Sequence, residues 1–282
     1  MTPEPIGLIA GAGRFPILFA EKARDCGIPV VCVGLPGMAD PVLAQICHRF
    51  HPMWRISLST IIREFQRGGV KRWTMAGKFH KHLLFRPWRW FQLVPDWRGI
   101  RLWYFRKKTD RRDDSLLLSL IEEFRSEGLE CASALDLCPE LLVRSGVLTK
   151  RQLTSSEETD IRFGWSIAKE MGRLDIGQSV MVREQAVLAV EAIEGTDRAI
   201  TRAGELCGRN TFVVVKVAKP QQDMRFDVPT VGQTTIETMK QAGANVLAIE
   251  ASKTILLDEA ATIALADRYR ITIVALPTDW TG

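Results

Sequence analysis

Residues 6–22 read Ile6-Gly-Leu-Ile-Ala10-Gly11-Ala12-Gly13-Arg14-Phe15-Pro16-Ile-Leu-Phe-Ala-Glu-Lys22: an apolar run, a glycine turn and the start of a helical pattern. The pattern runs to Cys26, Gly27 stops it, and Val30–Leu35 follows as a second buried strand. Strand, glycine turn, helix and strand in this order open a Rossmann-like βαβ unit. Beyond it, a helix at Thr60–Gln66, capped near Ser57 or Ser59 and closed by Gly68-Gly69, leads into a strand at Val70–Ala76. Asp113 or Asp114 caps an amphipathic helix, Leu116–Glu127, that ends at Gly128 and precedes strand-like Leu129–Ala132.

A second α/β unit begins near Ser145–Thr154, with a helix start at Ser155-Ser156-Glu157-Glu158 whose apolar period reaches Met171. Apolar, β-branched runs at Val180–Val182, Ala186–Ala192, Thr211–Val217, Val246–Glu250 and Ile271–Leu276 alternate with helices at Asp197–Leu206, Thr234–Ala242 and Asp258–Tyr269. The expected fold is α/β. An N-terminal Rossmann-like lobe spans 1–145, a C-terminal mixed-sheet lobe spans 146–282, and a cleft separates them.

With 282 residues, 46 % of them hydrophobic, the chain can build two real cores. No stretch approaches the ~20 apolar residues of a membrane helix, and the N-terminus lacks the basic start of a signal peptide, so a cytoplasmic protein is expected. Six cysteines without a CxxC pair read as reduced core residues. The four histidines, His48, His51, His80 and His82, lie at no zinc-ligand spacing from a cysteine. The net charge of +5 is uneven: residues 71–112 hold 13 Lys/Arg against 2 acids, leaving the rest of the chain at −6.

Three segments carry candidate chemistry. In the first, Gly11-Ala12-Gly13-Arg14 allows a phosphate to approach backbone N–H groups at a helix start, or simply makes a tight turn. NAD is not expected: the third glycine of the dinucleotide fingerprint is missing, and Val30–Leu35 ends in no ribose-binding acid. In the second, Lys219-Pro-Gln-Gln222-Asp223-Met-Arg225-Phe-Asp227-Val-Pro229 alternates charges on a loop braced by prolines. Asp223 and Asp227 can offer carboxylates to Mg²⁺, and Lys219 or Arg225 can meet a phosphate. The bland alternative is a solvated loop with a local ion pair. In the third, Glu191-Ala-Ile-Glu194-Gly195-Thr196-Asp197 reads as N-capping by Thr196 or Asp197, which leaves Glu191 without a reason.

Taken with Gly172-Arg-Leu-Asp-Ile-Gly177-Gln178 and the Asp113-Asp114 pair, these segments resemble the LpxI-type UDP-2,3-diacylglucosamine pyrophosphatases over nearly the whole chain. The resemblance implies a metal-dependent hydrolase of lipid A biosynthesis. It would send water to the sugar-side phosphorus of a UDP-linked diacylated glucosamine, releasing UMP and 2,3-diacylglucosamine 1-phosphate. The family's essential acid corresponds to Asp227. Around it the expected catalytic residues are Arg225 and Lys219, and the expected ligands of Mg²⁺ or Mn²⁺ are Asp227 and Asp223. The expected substrate contacts are Gly11, Ala12, Gly13, Arg14, Gly77, Lys78, Gln178, Glu191, Glu194, Thr196 and Gln222. A homodimer is implied by the same analogy. The alternative is a non-catalytic nucleotide-sugar or lipid-binding protein of the same fold.

Residues 79–108 interleave Trp88, Trp90, Trp97, Trp103 and Tyr104 with Arg and Lys. Such a segment suits an anionic membrane surface, and a diacylated substrate favours that reading over a structural cap. Stacking on nucleic acid is a third possibility and is not expected here. The protein is thus expected at the inner membrane's cytoplasmic face.

Overall fold

The computed structural model describes residues 3–78, Arg98, 113–208, 210–225 and 227–280. The aromatic–basic segment 79–108 lies outside the described residues, apart from Arg98. The chain forms two compact units divided between Cys138 and Pro139. The division precedes the expected 145/146 boundary because residues 142–147 bond to the second unit: Val143 N–H donates to Thr254 O at 3.0 Å and Ser145 Oγ to Ala275 O at 3.3 Å.

In the first unit, strands β1 (Ile6–Ala10), β2 (Val30–Gly34), β3 (Arg49–Pro52), β4 (Arg72–Ala76) and β5 (Glu130–Cys131) form one sheet in the order β3-β2-β1-β4-β5. Every pairing in it is parallel. Helices α1 (Phe15–Asp25), α2 (Leu43–Ile46), α3 (Leu58–Arg67) and α4 (Asp113–Ser126) connect the strands. Helix α1 starts with Pro16 in its first turn, where a missing N–H costs nothing, and no side chain caps it. Helix α3 is capped by Ser57, whose hydroxyl accepts from Thr60 N–H at 3.2 Å. The core is Leu8, Phe19, Phe65, Trp73 and Phe124, all fully buried, with the Trp73 indole N–H donating to Leu129 O. Both α2 and β3 are additions to the sequence reading.

The second unit carries a sheet of β6 (Gly146–Val147), β7 (Ser179–Arg183), β8 (Ala186–Val190), β9 (Phe212–Lys216), β11 (Ala244–Glu250) and β13 (Thr272–Leu276). Its order is β6-β13-β11-β9-β7-β8. Strands β13, β11 and β9 run parallel, and β6, β7 and β8 make antiparallel pairs, so the sheet is mixed as expected. Helix α5 (Ser155–Arg173) covers one face through Ile161, Trp165 and Ala168 against Val180, Val213 and Val215. It begins at Ser155 as read from the sequence, and Thr154 caps it in a reciprocal box with Glu157. Helices α6 (Thr196–Cys207), α7 (Gln233–Ala242) and α8 (Glu259–Tyr269) cover the other face around Ile200, Met239, Val214, Leu247 and Ile273. A short parallel pair, β10 (Thr230–Val231) with β12 (Ile255–Leu256), completes the unit.

Candidate active site

In the second unit, β8, β9 and β11 end on the same side of the sheet, and β7, antiparallel to β9, begins there. Loops at such strand ends are where α/β folds place ligands. Three of the segments singled out in the sequence converge at this edge.

The backbone fixes residues 172–178 and 191–197 against each other around the start of β7. Ser179 is opposite Lys216 in the β7–β9 pairing, Val217 N–H donates to Gln178 O at 3.0 Å, and Glu191 N–H donates to Ser179 O at 2.8 Å. Gly177 is the close contact: a Cβ built there would sit 2.0 Å from Glu191 O, so no other residue fits. The loop at 219–229 is tied to residues 172–178 through Lys219, whose ammonium pairs with Asp175, and Gln221, whose amide donates to Gly172 O at 2.9 Å. Gln222 closes a turn, with its Oε1 accepting from Lys219 N–H at 2.9 Å.

Past that turn, Arg225 grips Asp223. Its Nε lies 3.0 and 3.1 Å from the two carboxylate oxygens and its Nη2 at 2.6 Å, and its own N–H also donates to Oδ1. The guanidinium holds the Asp223 carboxyl below the usual carboxylate range, an effect burial partly opposes. Asp227 N–H donates to Asp223 O at 3.0 Å. The half-buried Asp227 carboxylate bonds to no side chain among the described residues.

Glu191 is nine-tenths buried. Its Oε1 accepts from Thr196 Oγ1 at 2.9 Å, and Thr196 in turn accepts from Lys216 Nζ at 3.0 Å. Lys216 also donates to Thr230 O at 3.2 Å, so one lysine links β9, the start of α6 and β10. The N-capping reading of Thr196 is corrected here. Gly195 takes the N-cap position at φ 86° with no side-chain cap, and the Thr196 hydroxyl is spent on Glu191 instead. Glu194 turns away from this group to an ion pair with Arg202 at 2.6 Å.

Behind the loop, the fully buried Glu250 at the end of β11 accepts from Lys169 Nζ at 2.6 Å and from Ala218 N–H at 2.8 Å. Sequence reading passed over Lys216, Asp175, Ser179, Lys169 and Glu250. The available signal was Lys216 itself, a lone charge inside Phe212-Val-Val-Val-Lys-Val-Ala218.

Among the described residues, Gln178 Oε1, Ser179 Oγ, Glu191 Oε2, Gln222 Nε2, Glu250 Oε1 and Thr254 Oγ1 are buried without a hydrogen-bond partner. Thr74 Oγ1 in the first unit is the other such atom; buried polar atoms are rarely left so, and those of Gln178, Ser179, Glu191 and Gln222 fall on the segments that meet at this edge. No cluster of three or more His, Cys, Asp or Glu suited to a metal exists among the described residues. Mg²⁺ needs less than that, being held by one or two carboxylates with phosphates and water completing its shell. Of the two acids expected to bind it, Asp227 keeps a carboxylate without a side-chain bond among the described residues. Asp223 is already neutralised by Arg225.

In the first unit, Gly11–Arg14 and Gly77–Lys78 meet at the ends of β1 and β4, where the strand order reverses, the usual ligand position in an open parallel sheet. Ala12 and Lys78 exchange backbone hydrogen bonds of 3.0 and 2.7 Å. A Cβ on Gly11 would lie 2.9 Å from Lys78 O, and one on Gly77 2.8 Å from Ala12 O. These glycines therefore allow two turns to lie against each other. Arg14 pairs with Glu21 at 3.2 Å.

Fold and site together define a two-unit α/β protein with a charged strand-end site in its C-terminal half. Residues 5–141 match the LpxI N-terminal domain and residues 144–274 the LpxI C-terminal domain. The chain belongs to the LpxI family. It is 33 % identical over 273 residues to the UDP-2,3-diacylglucosamine pyrophosphatase LpxI of Caulobacter vibrioides, covering 93 % of this chain and 94 % of that protein.

Proposed function

We propose that the protein hydrolyses the pyrophosphate of UDP-2,3-diacylglucosamine. Water attacks the sugar-side phosphorus, the phosphoanhydride P–O bond breaks, and UMP leaves with the bridging oxygen, giving 2,3-diacylglucosamine 1-phosphate. The observation that carries this reading is the Asp227 carboxylate, which has no side-chain partner among the described residues, on a loop tied down at Lys219, Gln222 and Asp223, in a chain matching both LpxI domains.

A pyrophosphate resists attack because its negative charge repels the nucleophile, so the site must neutralise charge and orient water. Bound Mg²⁺ would supply that neutralisation at the phosphate oxygens, with Asp227 as its protein donor. Asp227 either serves as such a donor or takes the proton of the attacking water. Arg225 and Lys219, each already paired with an acid, present positive charge from the loop. Gln178, Thr196 and Gln222 line the edge, and Gly11–Arg14 with Gly77–Lys78 offer backbone and lysine to a phosphate-bearing group. No helix among the described residues is long and apolar enough to cross a membrane. Access to a lipid substrate is assigned to residues 79–108, whose Trp88/Trp90→Ala variant should pellet less with anionic vesicles.

The test is UMP release from the UDP-lipid with and without Mg²⁺, for wild type and Asp227→Asn. The wild type should turn over only with the divalent ion. The variant should lose turnover by ~10³-fold or more while still binding substrate and unfolding at the wild-type midpoint. Failure of the wild type to release UMP would leave a two-unit nucleotide-sugar or lipid-binding protein.

A further inference from the structure

Strand β9 is buried along its length, and its side chains alternate between the two faces of the sheet. Val213, Val215 and Val217 join the core under α5, whereas Phe212 and Val214 join the core under α6 and α7. By that alternation, position 216 continues the Phe212–Val214 row. An apolar side chain would suit it, yet Lys216 stands there with only 6 % of its surface exposed. Burying an ammonium is costly, and the start of α6 adds a partial positive charge beside it. An apolar side chain would fill this position without that cost.

The contacts of Lys216 supply a reason for it. The Nζ donates to Thr230 O, three residues after Asp227, and to Thr196 Oγ1, which holds Glu191 Oε1. One cation thereby bears on the position of both Glu191 and Asp227. We propose that Lys216 is a positioning residue for hydrolysis. It anchors the far end of the Asp227 loop through the Thr230 carbonyl and fixes the Glu191 carboxylate through the Thr196 hydroxyl. This deepens the pyrophosphatase reading and rests on it.

Lys216→Met removes the ammonium and keeps the length of the side chain. The kcat for UMP release should fall ~100-fold, the loss typical of misplaced reacting groups, with KM within about threefold. Any fall in the unfolding midpoint should be too small to account for the lost kcat, since the costly buried charge leaves together with its hydrogen bonds. Thr196→Val should lose activity in the same way, with Thr196→Ser, which keeps the hydroxyl, well above it. The Lys216→Met/Thr196→Val double variant should be no worse than Lys216→Met within about threefold, because both act through one chain of contacts. Amide exchange over residues 227–231, measured without substrate, should quicken at least ~10-fold in Lys216→Met.

The proposal is overturned if Lys216→Met keeps wild-type kcat, if activity falls only in step with the unfolding midpoint, or if Thr196→Ser is as poor as Thr196→Val. Should the wild type release no UMP, the reading of the reaction fails. Amide exchange then decides the anchoring separately, and unchanged protection in Lys216→Met overturns it.

Discussion

Lys169→Met tests whether the buried pair behind the loop is a structural keystone. Glu250 is wholly inaccessible and Lys169 is 23 % exposed, with Nζ and Oε2 2.6 Å apart. Removing one partner of a buried pair typically costs ~3–5 kcal/mol, because the remaining charge is left without compensation. Two features place this case at the lower end. Lys169 is partly solvated, and Lys253 lies 3.6 Å from Oε1, a charge contact too long to be a hydrogen bond. The Ala218 N–H also stays with Oε2. The expected loss is therefore about 3 kcal/mol, or a fall of roughly 10 °C in the melting temperature of a unit this size. Glu250→Gln keeps an acceptor for Ala218 without the charge and should cost less. The double variant should be more stable than Lys169→Met alone, since no isolated carboxylate remains. Urea unfolding followed by tryptophan fluorescence suits the measurement, because Trp165 packs edge-on against Trp280, with centroids 5.6 Å apart. A Lys169→Met protein within ~1 kcal/mol of wild type, or a double variant losing the full sum of the two single losses, would refute the reasoning.

Other outcomes can be checked with the same melts. Gly177→Ala drives a methyl group to 2.0 Å from Glu191 O and should cost several kcal/mol together with activity. Gly13→Ala meets nothing within 4 Å and should cost only ~1 kcal/mol for its φ of +97°. Burial pushes the Glu157 carboxyl up, but hydrogen bonds from Arg151 and Thr154 outweigh it and leave the group below the usual range. A lowered value means that Glu157, like Asp223, stabilises the fold fully above about pH 4 and loses that contribution as pH falls through its folded value. Urea midpoints from pH 7 to 3 should decline on the acid side, and Glu157→Gln should flatten part of the decline while lowering stability at pH 7. Thr154→Ala removes the cap of α5 and should cost ~1 kcal/mol, read as a lower urea midpoint at neutral pH.

The long elements were legible because each carries its own period and its own stop. Gly27 and Gly128 end helices at positive φ, and the β-branched runs of β9, β11 and β13 lie buried in a parallel core. Strand β3 was not legible. Arg49-Phe-His-Pro52 is polar, and as an edge strand it is bonded only to β2, so nothing in its pattern demands burial. The charged loop at 219–227 could be picked out from its alternating charges and prolines. Which acid stays open could not, since Asp223 and Asp227 look alike until Arg225 is seen gripping one of them. Glu194 and Glu191 pose the same problem: Arg202 claims the first, and the second turns inward to Thr196. Lys216 was legible as a lone charge in an apolar run, and Gly195 holds the cap position that Thr196 or Asp197 was expected to supply.

The paired strands β10 and β12 bear on the dynamics of this edge. Ile255 N–H donates to Pro229 O at 2.8 Å and Leu257 N–H to Val231 O at 2.9 Å, so the chain leaving Asp227 is stitched to the segment after β11. With the entry to the loop fixed at Ala218 by Glu250, the acidic stretch is a short bridge between two moored ends. Its conformational entropy is surrendered when the unit folds, so an arriving diphosphate meets donors and acceptors already in place rather than a strand that must be ordered around it.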